Sequence, residues 1–264
     1  SETIGSEEGT SGPQTEEFKE EEKMIGSDLA KSTEEDEIDV GKTSTDEENK
    51  PKTDNLTSQL NQHYNFRALN PKDKLPNNVD VILITGATDS IDTSAYSNLN
   101  EFLASGKKIL LTQSGVNADI QTQQATPINS NIFDLLLAHR LKLNKNLVLD
   151  SKCGNVQVQQ SVGLFRMNRA VQYPFFPVID RFNNEDSTAN IIVNNLEQVL
   201  PLFPSEIVID TVENSIVSSV IPLFSTSDNS GLMESNFILS PDPQQNPFIK
   251  MLGQKGKIIA ATSK

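Results

Sequence analysis

The sequence predicts an α/β fold, a mostly parallel, open β-sheet flanked by helices, with a more β-rich C-terminal part. Two segments, VDVILIT (79–85) and KILLT (108–112), are apolar or β-branched on both faces, which is typical of parallel strands covered on each side. The segment between them has apolar residues at helical spacing. Strand, helix and strand in this order indicate a right-handed βαβ unit.

The predicted helix between these strands has a polar residue at its start and a glycine at its end. Asp92 or Thr93 is placed to cap the N-terminus, because a short polar side chain accepts hydrogen bonds from the first free N–H groups. Gly106 is placed to end the helix, since glycine readily adopts the left-handed backbone found there. The apolar face consists of Tyr96, Leu99, Phe102 and Leu103.

A second helix is predicted within INSNIFDLLLAHRLKLN, with Ser130 as its N-cap and Ile132, Leu135 and Leu136 on its inner side. The strand NLVLD (146–150) follows it and ends on an acidic residue. These two elements repeat the alternation of helix and strand, and they therefore favour the same parallel sheet.

Beyond residue 150 the alternation fades, and the sequence predicts a less regular region. GNVQVQQSVGLF has the pattern of an exposed strand or hairpin, and YPFFPVID that of a rigid aromatic loop fixed by Pro174 and Pro177. A short helix is predicted at 194–199 and a strand at 206–210. Further strands are predicted in SSVIPLF and in the terminal GKIIAATSK.

The charge divides the chain into two parts. Residues 1–55 hold 18 Asp and Glu against 6 Lys and Arg, whereas residues 56–264 hold 18 against 16. The first part also has a single aromatic residue, Phe18, and too little apolar surface to offset the entropy of ordering the chain. We therefore predict an acidic, disordered tail or linker over 1–55 and an α/β domain over 56–264.

Composition excludes several functions. Binding of nucleic acid needs clustered Lys and Arg, and no such cluster is present. Cys153 is the one cysteine, so neither an internal disulfide nor a cysteine-based zinc site can form. There is no initiator Met and no apolar run near the roughly 20 residues that span a bilayer. We expect the chain to be a piece of a larger protein.

The first strand ends in TGATDSID, which raises the question of a phosphate site. A Walker loop needs further glycines and a lysine, and a Rossmann fingerprint needs three spaced glycines, but this segment has Gly86 alone. Gly86 is therefore interpreted as a bend, with Asp89 as a turn residue and Asp92 as a cap. A minor binding role stays open, because open α/β sheets bind ligands at this end of their strands.

No catalytic constellation is evident. Ser114 in LLTQSGV lacks the flanking glycines of a nucleophile elbow, and the chain has just two histidines, His63 and His139. Cys153 has one nearby cation, Lys152, and is interpreted as an inert thiol. The acidic residues show no metal-loop spacing. We expect no catalytic residues, no metal and no cofactor.

The loops that follow the strands are the predicted contact surface. Loops 85–92, 113–118 and 225–231 should meet at one edge of the sheet. YPFFPVI could add an aromatic anchor, although half-buried packing is the more common role of such residues. The candidate ligand or partner contacts are Thr85, Gly86, Asp89, Gln113, Ser114, Tyr173, Phe175, Phe176, Ser225, Ser227 and Asp228.

The order of these segments resembles the soluble domain of GldG-type proteins, auxiliary components of an ABC transport system associated with gliding motility. The resemblance rests on five stretches in sequence order. They are residues 75–86, 105–112, 147–150, 173–177 and 222–227. The motif before the second strand departs from the family pattern, since Ser105 replaces the first of two glycines.

The resemblance implies an extracytoplasmic domain at the bacterial inner membrane, facing the periplasm and anchored by flanking helices. It implies a fold similar to class I glutamine amidotransferases, or flavodoxin-like, without a cysteine nucleophile. The expected partners are the permease and ATPase subunits of the transporter. The expected function is non-enzymatic, through protein contacts or weak substrate binding.

Two alternatives stay open at this point. The first is a carbohydrate or small-ligand binding module in which Tyr173, Phe175 and Phe176 stack on a sugar ring, which requires those rings to be exposed. The second is a degenerate amidotransferase-like hydrolase that uses Ser114 or Cys153. It requires a histidine or an acid within hydrogen-bonding distance of the nucleophile.

Overall fold

The computed structural model describes residues 54–162, 165–211, 217, 219–242, 245–246 and 248–264. The predicted tail therefore lies outside the described residues except at 54 and 55. In chain order the elements are α1 (Asp54–Asn61), β1 (Val81–Thr85), α2 (Thr93–Ala104), β2 (Lys108–Thr112), β3 (Val116–Asp119), β4 (Gln124–Pro127), α3 (Ile132–Ala138), β5 (Leu141–Leu143), β6 (Leu147–Asp150), β7 (Cys153–Val162), β8 (Phe165–Pro177), α4 (Ser187–Val193), β9 (Ile207–Ile209), β10 (Val220–Ser225), β11 (Ser230–Met233), α5 (Phe248–Met251) and β12 (Ile258–Ser263).

The predicted βαβ unit is confirmed as a parallel pair. β1 and β2 lie in register from Val81 opposite Lys108 to Thr85 opposite Thr112, with α2 between them in the chain. One face of this pair packs on a small core that contains Leu99 of α2. The side chain of Asp92 caps α2, and Gly106 follows the helix with a φ of +82°. Both predicted helix ends are confirmed.

The predicted parallel sheet is wrong beyond this unit, and so is the amidotransferase-like or flavodoxin-like architecture. Among the described residues the other five strand pairings are antiparallel, and each sheet has two strands. They join β3 with β4, β5 with β9, β6 with β11, β7 with β8, and β10 with β12. The protein is therefore β-rich and built from short antiparallel pairs.

Burial of β6 explains the wrong prediction. All four residues of β6 are buried, as expected for a central strand, but the strand pairs antiparallel with β11, from Leu147 opposite Met233 to Asp150 opposite Ser230. A short apolar run has the same pattern in a parallel strand and in a buried antiparallel one. The outer face of the parallel pair is also not covered as predicted, since Val81 and Leu110 are each 56% exposed.

The segment predicted as an exposed strand or hairpin forms the strand β7, which pairs with β8, but the predicted aromatic loop is wrong. β7 and β8 pair from Val162 opposite Phe165 to Asn155 opposite Gln172, and again at Cys153 opposite Pro177 after a shift in register that leaves residues 173–176 without a partner in β7. The aromatic stretch YPFFP is the C-terminal part of β8. A strand tolerates proline where it has no neighbour to bond on that side, and β8 pairs only with β7 among the described residues.

The main core lies between β6, β8 and β11. Its buried residues are Val116, Leu147, Leu149, Tyr173, Phe175, Phe203, Met233, Leu239 and Phe248. The helix predicted at 194–199 instead begins at Ser187, because Asp186 accepts hydrogen bonds from the N–H groups of Thr188 and Ala189. Among the described helices, none has the length and hydropathy of a membrane span.

Candidate functional site

The first two predicted loops lie against each other. Gly86 follows β1 with a φ of +62°, a backbone conformation that favours glycine, so the chain bends there as the sequence predicts. The next residue, Ala87, donates its N–H to Oε1 of Gln113 at 2.7 Å. Gln113 thus joins the ends of β1 and β2, and Thr85 lies beside it opposite Thr112 in the ladder.

The acidic residues of the first loop serve its local structure. Asp92 Oδ1 accepts hydrogen bonds from the N–H and hydroxyl of Ser94, at 2.9 and 2.7 Å. The hydroxyl bond is the main reason that the pKa of Asp92 lies below its usual value. The main-chain oxygen of Asp89 accepts a hydrogen bond from Ser130 Oγ at 2.8 Å, which ties this loop to the start of α3.

Ser114 belongs to a hydroxyl network that holds the second loop. Its Oγ lies 2.9 Å from the carbonyl oxygen of Phe203 and 3.0 Å from Oγ of Ser205, which is buried. Ser205 Oγ also accepts the N–H of Gly115 at 2.9 Å and donates to the carbonyl oxygen of Asn146 at 2.5 Å. The hydroxyl of Ser114 thus joins the loop at 113–118 to residues 203–205.

The third predicted loop, 225–231, is attached to the end of β6, and among the described residues its hydrogen bonds do not run to the loops at 85–92 and 113–118. The fully buried carboxylate of Asp150 accepts the hydroxyl of Ser227 at 2.6 Å and the N–H of the same residue at 2.5 Å. It also accepts the N–H of Lys152 at 2.8 Å. The sequence signal for this anchor is the acid at the end of NLVLD, which we did not select as a site residue.

Two exposed ion pairs lie beside this anchor. Arg181 donates to Asp228 at 2.7 Å, and Lys152 pairs with Asp180. The Arg181 guanidinium lowers the pKa of Asp228, and the Lys152 ammonium lowers the pKa of Asp180. The candidate Asp228 is thus a paired, ionised carboxylate, while Ser225 ends β10 nearby in the chain.

The aromatic candidates form part of the core. Tyr173 and Phe175 are buried, Phe176 is half-buried, and their rings pack edge to face with centroids 4.9 to 5.4 Å from Tyr173. The hydroxyl of Tyr173 donates to the carbonyl oxygen of Leu239 at 2.6 Å. Burial raises the pKa of Tyr173. This arrangement does not present the rings of Tyr173 and Phe175 to a sugar.

The remaining reactive side chains are not grouped. Burial raises the pKa of the Cys153 thiol, which disfavours the thiolate, and burial lowers the pKa of His139, which ends α3. Within the part of the chain that the structure describes, no three His, Cys, Asp or Glu residues lie together as a metal site would require.

Comparison with known proteins gives a matching family model, a similar protein sequence and a similar solved structure. A family model described as ABC-type uncharacterized transport system matches residues 36–263. A protein of Borreliella burgdorferi named "Uncharacterized protein" is 26% identical over 191 residues, which are 68% of this chain and 36% of that protein. The chain thus spans little more than a third of that relative.

Among solved structures, the mmIFT52 N-terminal domain aligns at 16% identity with a TM-score of 0.43, over 67% of this chain and 66% of that one.

The family model covers most of this chain, from residue 36 almost to its end. The protein therefore belongs to this auxiliary family of an ABC-type transport system.

Proposed function

We propose that the chain is a non-enzymatic accessory domain of an ABC-type transporter that acts by contacts with other proteins of the system. One observation carries the proposal. The hydroxyl of Ser114, the serine best placed at a strand end, is held by the carbonyl oxygen of Phe203 and by Ser205. A hydroxyl bound in this way stabilises a loop and is not poised next to a base for attack.

The partners we propose are the permease and ATPase subunits of the transporter. We further propose that the chain is a GldG-type component linked to gliding motility, placed at the bacterial inner membrane with this domain in the periplasm. The support for this finer assignment is the order of the sequence stretches at 75–86, 105–112 and 147–150, together with membership in the auxiliary family.

The contact surface we propose includes the joined loops at the ends of β1 and β2. Asp89 is exposed there, and its main-chain oxygen is fixed by Ser130, so the loop has a defined shape in the free protein. A pre-organised loop loses little entropy on binding, which favours its use in recognition.

Affinity purification from the membranes of the native host tests the proposal. The full 264-residue chain is the bait, and mass spectrometry identifies the recovered proteins. We expect permease or ATPase subunits with the unchanged bait and less of them with Asp89→Lys. Glu197→Lys, an equal charge change at another exposed site, is the matched control and should recover the same amount. Recovery of no transporter subunit, or enrichment of a glycan instead, would overturn the proposal.

A further inference from the structure

Strand β7 has an edge that is not protected against pairing. Its sequence, CGNVQVQQSV, contains no charged residue and no proline. Among the described residues, its one ladder partner is β8. Natural edge strands are usually blunted by lysine, proline or a covering segment, because their free N–H and C=O groups attract other strands. This edge lacks lysine and proline, so it is suited to accept one more strand where the facing segments leave a groove.

A groove runs along this edge. Four consecutive residues of β7, 156–159, line it, together with Ile120, Gln123, Leu239, Pro241 and the buried Tyr173 at its base. Side chains of a strand alternate between its two faces, so a groove that contacts four residues in a row follows the edge of the strand. Its volume is about 310 Å³, which suits a short length of extended chain.

The side of the groove opposite β7 is fixed in place by hydrogen bonds. Leu239 donates its N–H to the carbonyl oxygen of Gln123 at 2.9 Å, and Gln124 forms an antiparallel bridge with Ile238. The carbonyl oxygen of Leu239 accepts the hydroxyl of Tyr173. The main-chain groups on this side of the groove thus already have hydrogen-bond partners and hold it in shape. A pre-formed groove loses less entropy when it binds a partner.

The chemistry of the lining selects the occupant. Every side chain that lines the groove is uncharged, although the chain as a whole carries a formal net charge of −14. A charged side chain placed in the groove would lose hydration without gaining an ionic partner. Apolar side chains, in contrast, would gain contact with the exposed Ile120 and the half-buried Val158.

We propose that this groove binds an extended, uncharged peptide segment of a partner protein, which adds as a strand along the edge of β7. Main-chain hydrogen bonds to β7 would give the affinity, and alternate apolar side chains would contact the opposite side of the groove. The proposal rests on the proposed function, in that the segment belongs to another protein of the transport system.

The test uses the isotopically labelled full chain and the soluble peptide acetyl-Thr-Val-Thr-Val-Thr-Val-Thr-amide. We expect amide NMR shifts at residues 156–159, Ile120 and Leu239. A peptide N-methylated at its three central residues should bind at least about tenfold more weakly, because it cannot form the main-chain bonds. A peptide with lysine in place of the three valines should also bind at least about tenfold more weakly than the original peptide.

Two protein variants provide a matched comparison. Ile120 is 57% exposed and lines the groove, whereas Met167 of β8 is 60% exposed and does not. Ile120→Lys should weaken peptide binding about tenfold, since it places a charge at the groove. Met167→Lys, the same change on a similarly exposed apolar residue, should leave binding unchanged.

Several outcomes would overturn the proposal. They are the absence of shifts at β7, equal binding of the N-methylated peptide, or an equal effect of the two variants. Self-association of the full chain that is lost in Ile120→Lys would assign the edge to a second copy instead. If peptide binding fails while transporter subunits are still recovered from membranes, the strand-addition mode is wrong and the accessory function stands.

Discussion

The buried carboxylate of Asp150 binds Ser227 twice, through its N–H at 2.5 Å and its hydroxyl at 2.6 Å. The two residues lie 77 positions apart in the chain, so the pair fixes the loop after β10 to the end of β6. The main-chain N–H of Lys152 donates a third hydrogen bond to the same carboxylate at 2.8 Å. A buried carboxylate is tolerated when such donors replace its lost hydration.

Removing the hydroxyl of Ser227 should destabilise the fold. Ser227→Ala leaves the main-chain bond to Asp150 in place but loses a hydrogen bond to a charged group, which is expected to cost about 2 kcal/mol. Urea unfolding, followed by circular dichroism, measures the difference in free energy. Ser90→Ala, an exposed serine, is the control and should change the free energy of unfolding by less than about 0.5 kcal/mol.

Asp150→Asn should cost more than Ser227→Ala. Donors point at both carboxylate oxygens, so the amide NH₂ of asparagine must face at least one N–H group. That arrangement replaces a hydrogen bond with a repulsive contact in a buried site. Equal costs for the two variants would show that the carboxylate does not act as an acceptor on both sides.

Gly115 should not tolerate a side chain. A Cβ at this position would lie 2.1 Å from the carbonyl oxygen of Asn144, and this atom belongs to the backbone and cannot rotate away. Gly115→Ala is therefore expected to cost about 3 kcal/mol in unfolding experiments. Gly106→Ala is the comparison, since its Cβ would have no neighbour within 4 Å. Its φ of +82° alone should cost about 1 kcal/mol.

Local signals explain which parts of the fold could be predicted. The caps of α2 at Asp92 and Gly106 are set by residues within one helical turn, and the βαβ unit follows from neighbouring segments. The pairing of β6 with β11 joins residues about 80 positions apart, and no pattern in NLVLD specifies that partner. The sequence therefore identified elements more reliably than it identified their neighbours.

In the candidate site, too, local contacts could be predicted from the sequence and contacts between distant residues could not. The bend at Gly86 could be read from the sequence because glycine follows a strand there. The contact of Gln113 with Ala87 depends on β1 and β2 being parallel, which was predicted correctly. The role of Ser114 depends on Phe203 and Ser205, 89 and 91 residues away, so no local pattern could indicate it.

Tyr173→Phe should destabilise the core by about 1 kcal/mol, because the carbonyl oxygen of Leu239 then has no hydroxyl donor. Thermal or urea unfolding measures this change. Tyr64→Phe serves as the control, since Tyr64 is 69% exposed. A smaller cost at Tyr173 than at Tyr64 would argue against the hydrogen bond.

Alkaline pH should weaken the fold through Tyr173. Burial raises the pKa of its phenol, so above about pH 10 the unfolded chain releases a proton that the folded chain keeps. The free energy of unfolding must then decrease as the pH rises through this range. Tyr173→Phe should show a shallower decrease than the unchanged protein, and parallel curves would exclude Tyr173 as the source.

Mild acid should weaken the fold through His139. Burial lowers the pKa of this imidazole, so the folded state favours the neutral ring, whereas the unfolded chain binds a proton near pH 6.5. Between this value and the lower pKa of the folded state, the unfolded state holds more protons, and the free energy of unfolding must decrease as the pH falls. Urea unfolding at pH 7.5, 6.5 and 5.5 measures the slope of the free energy of unfolding against pH. This slope should correspond to the uptake of about one proton at most on unfolding. His139→Gln should flatten this dependence, while His63→Gln, at the exposed histidine, should retain it. An unchanged slope in His139→Gln would assign the acid sensitivity to other groups.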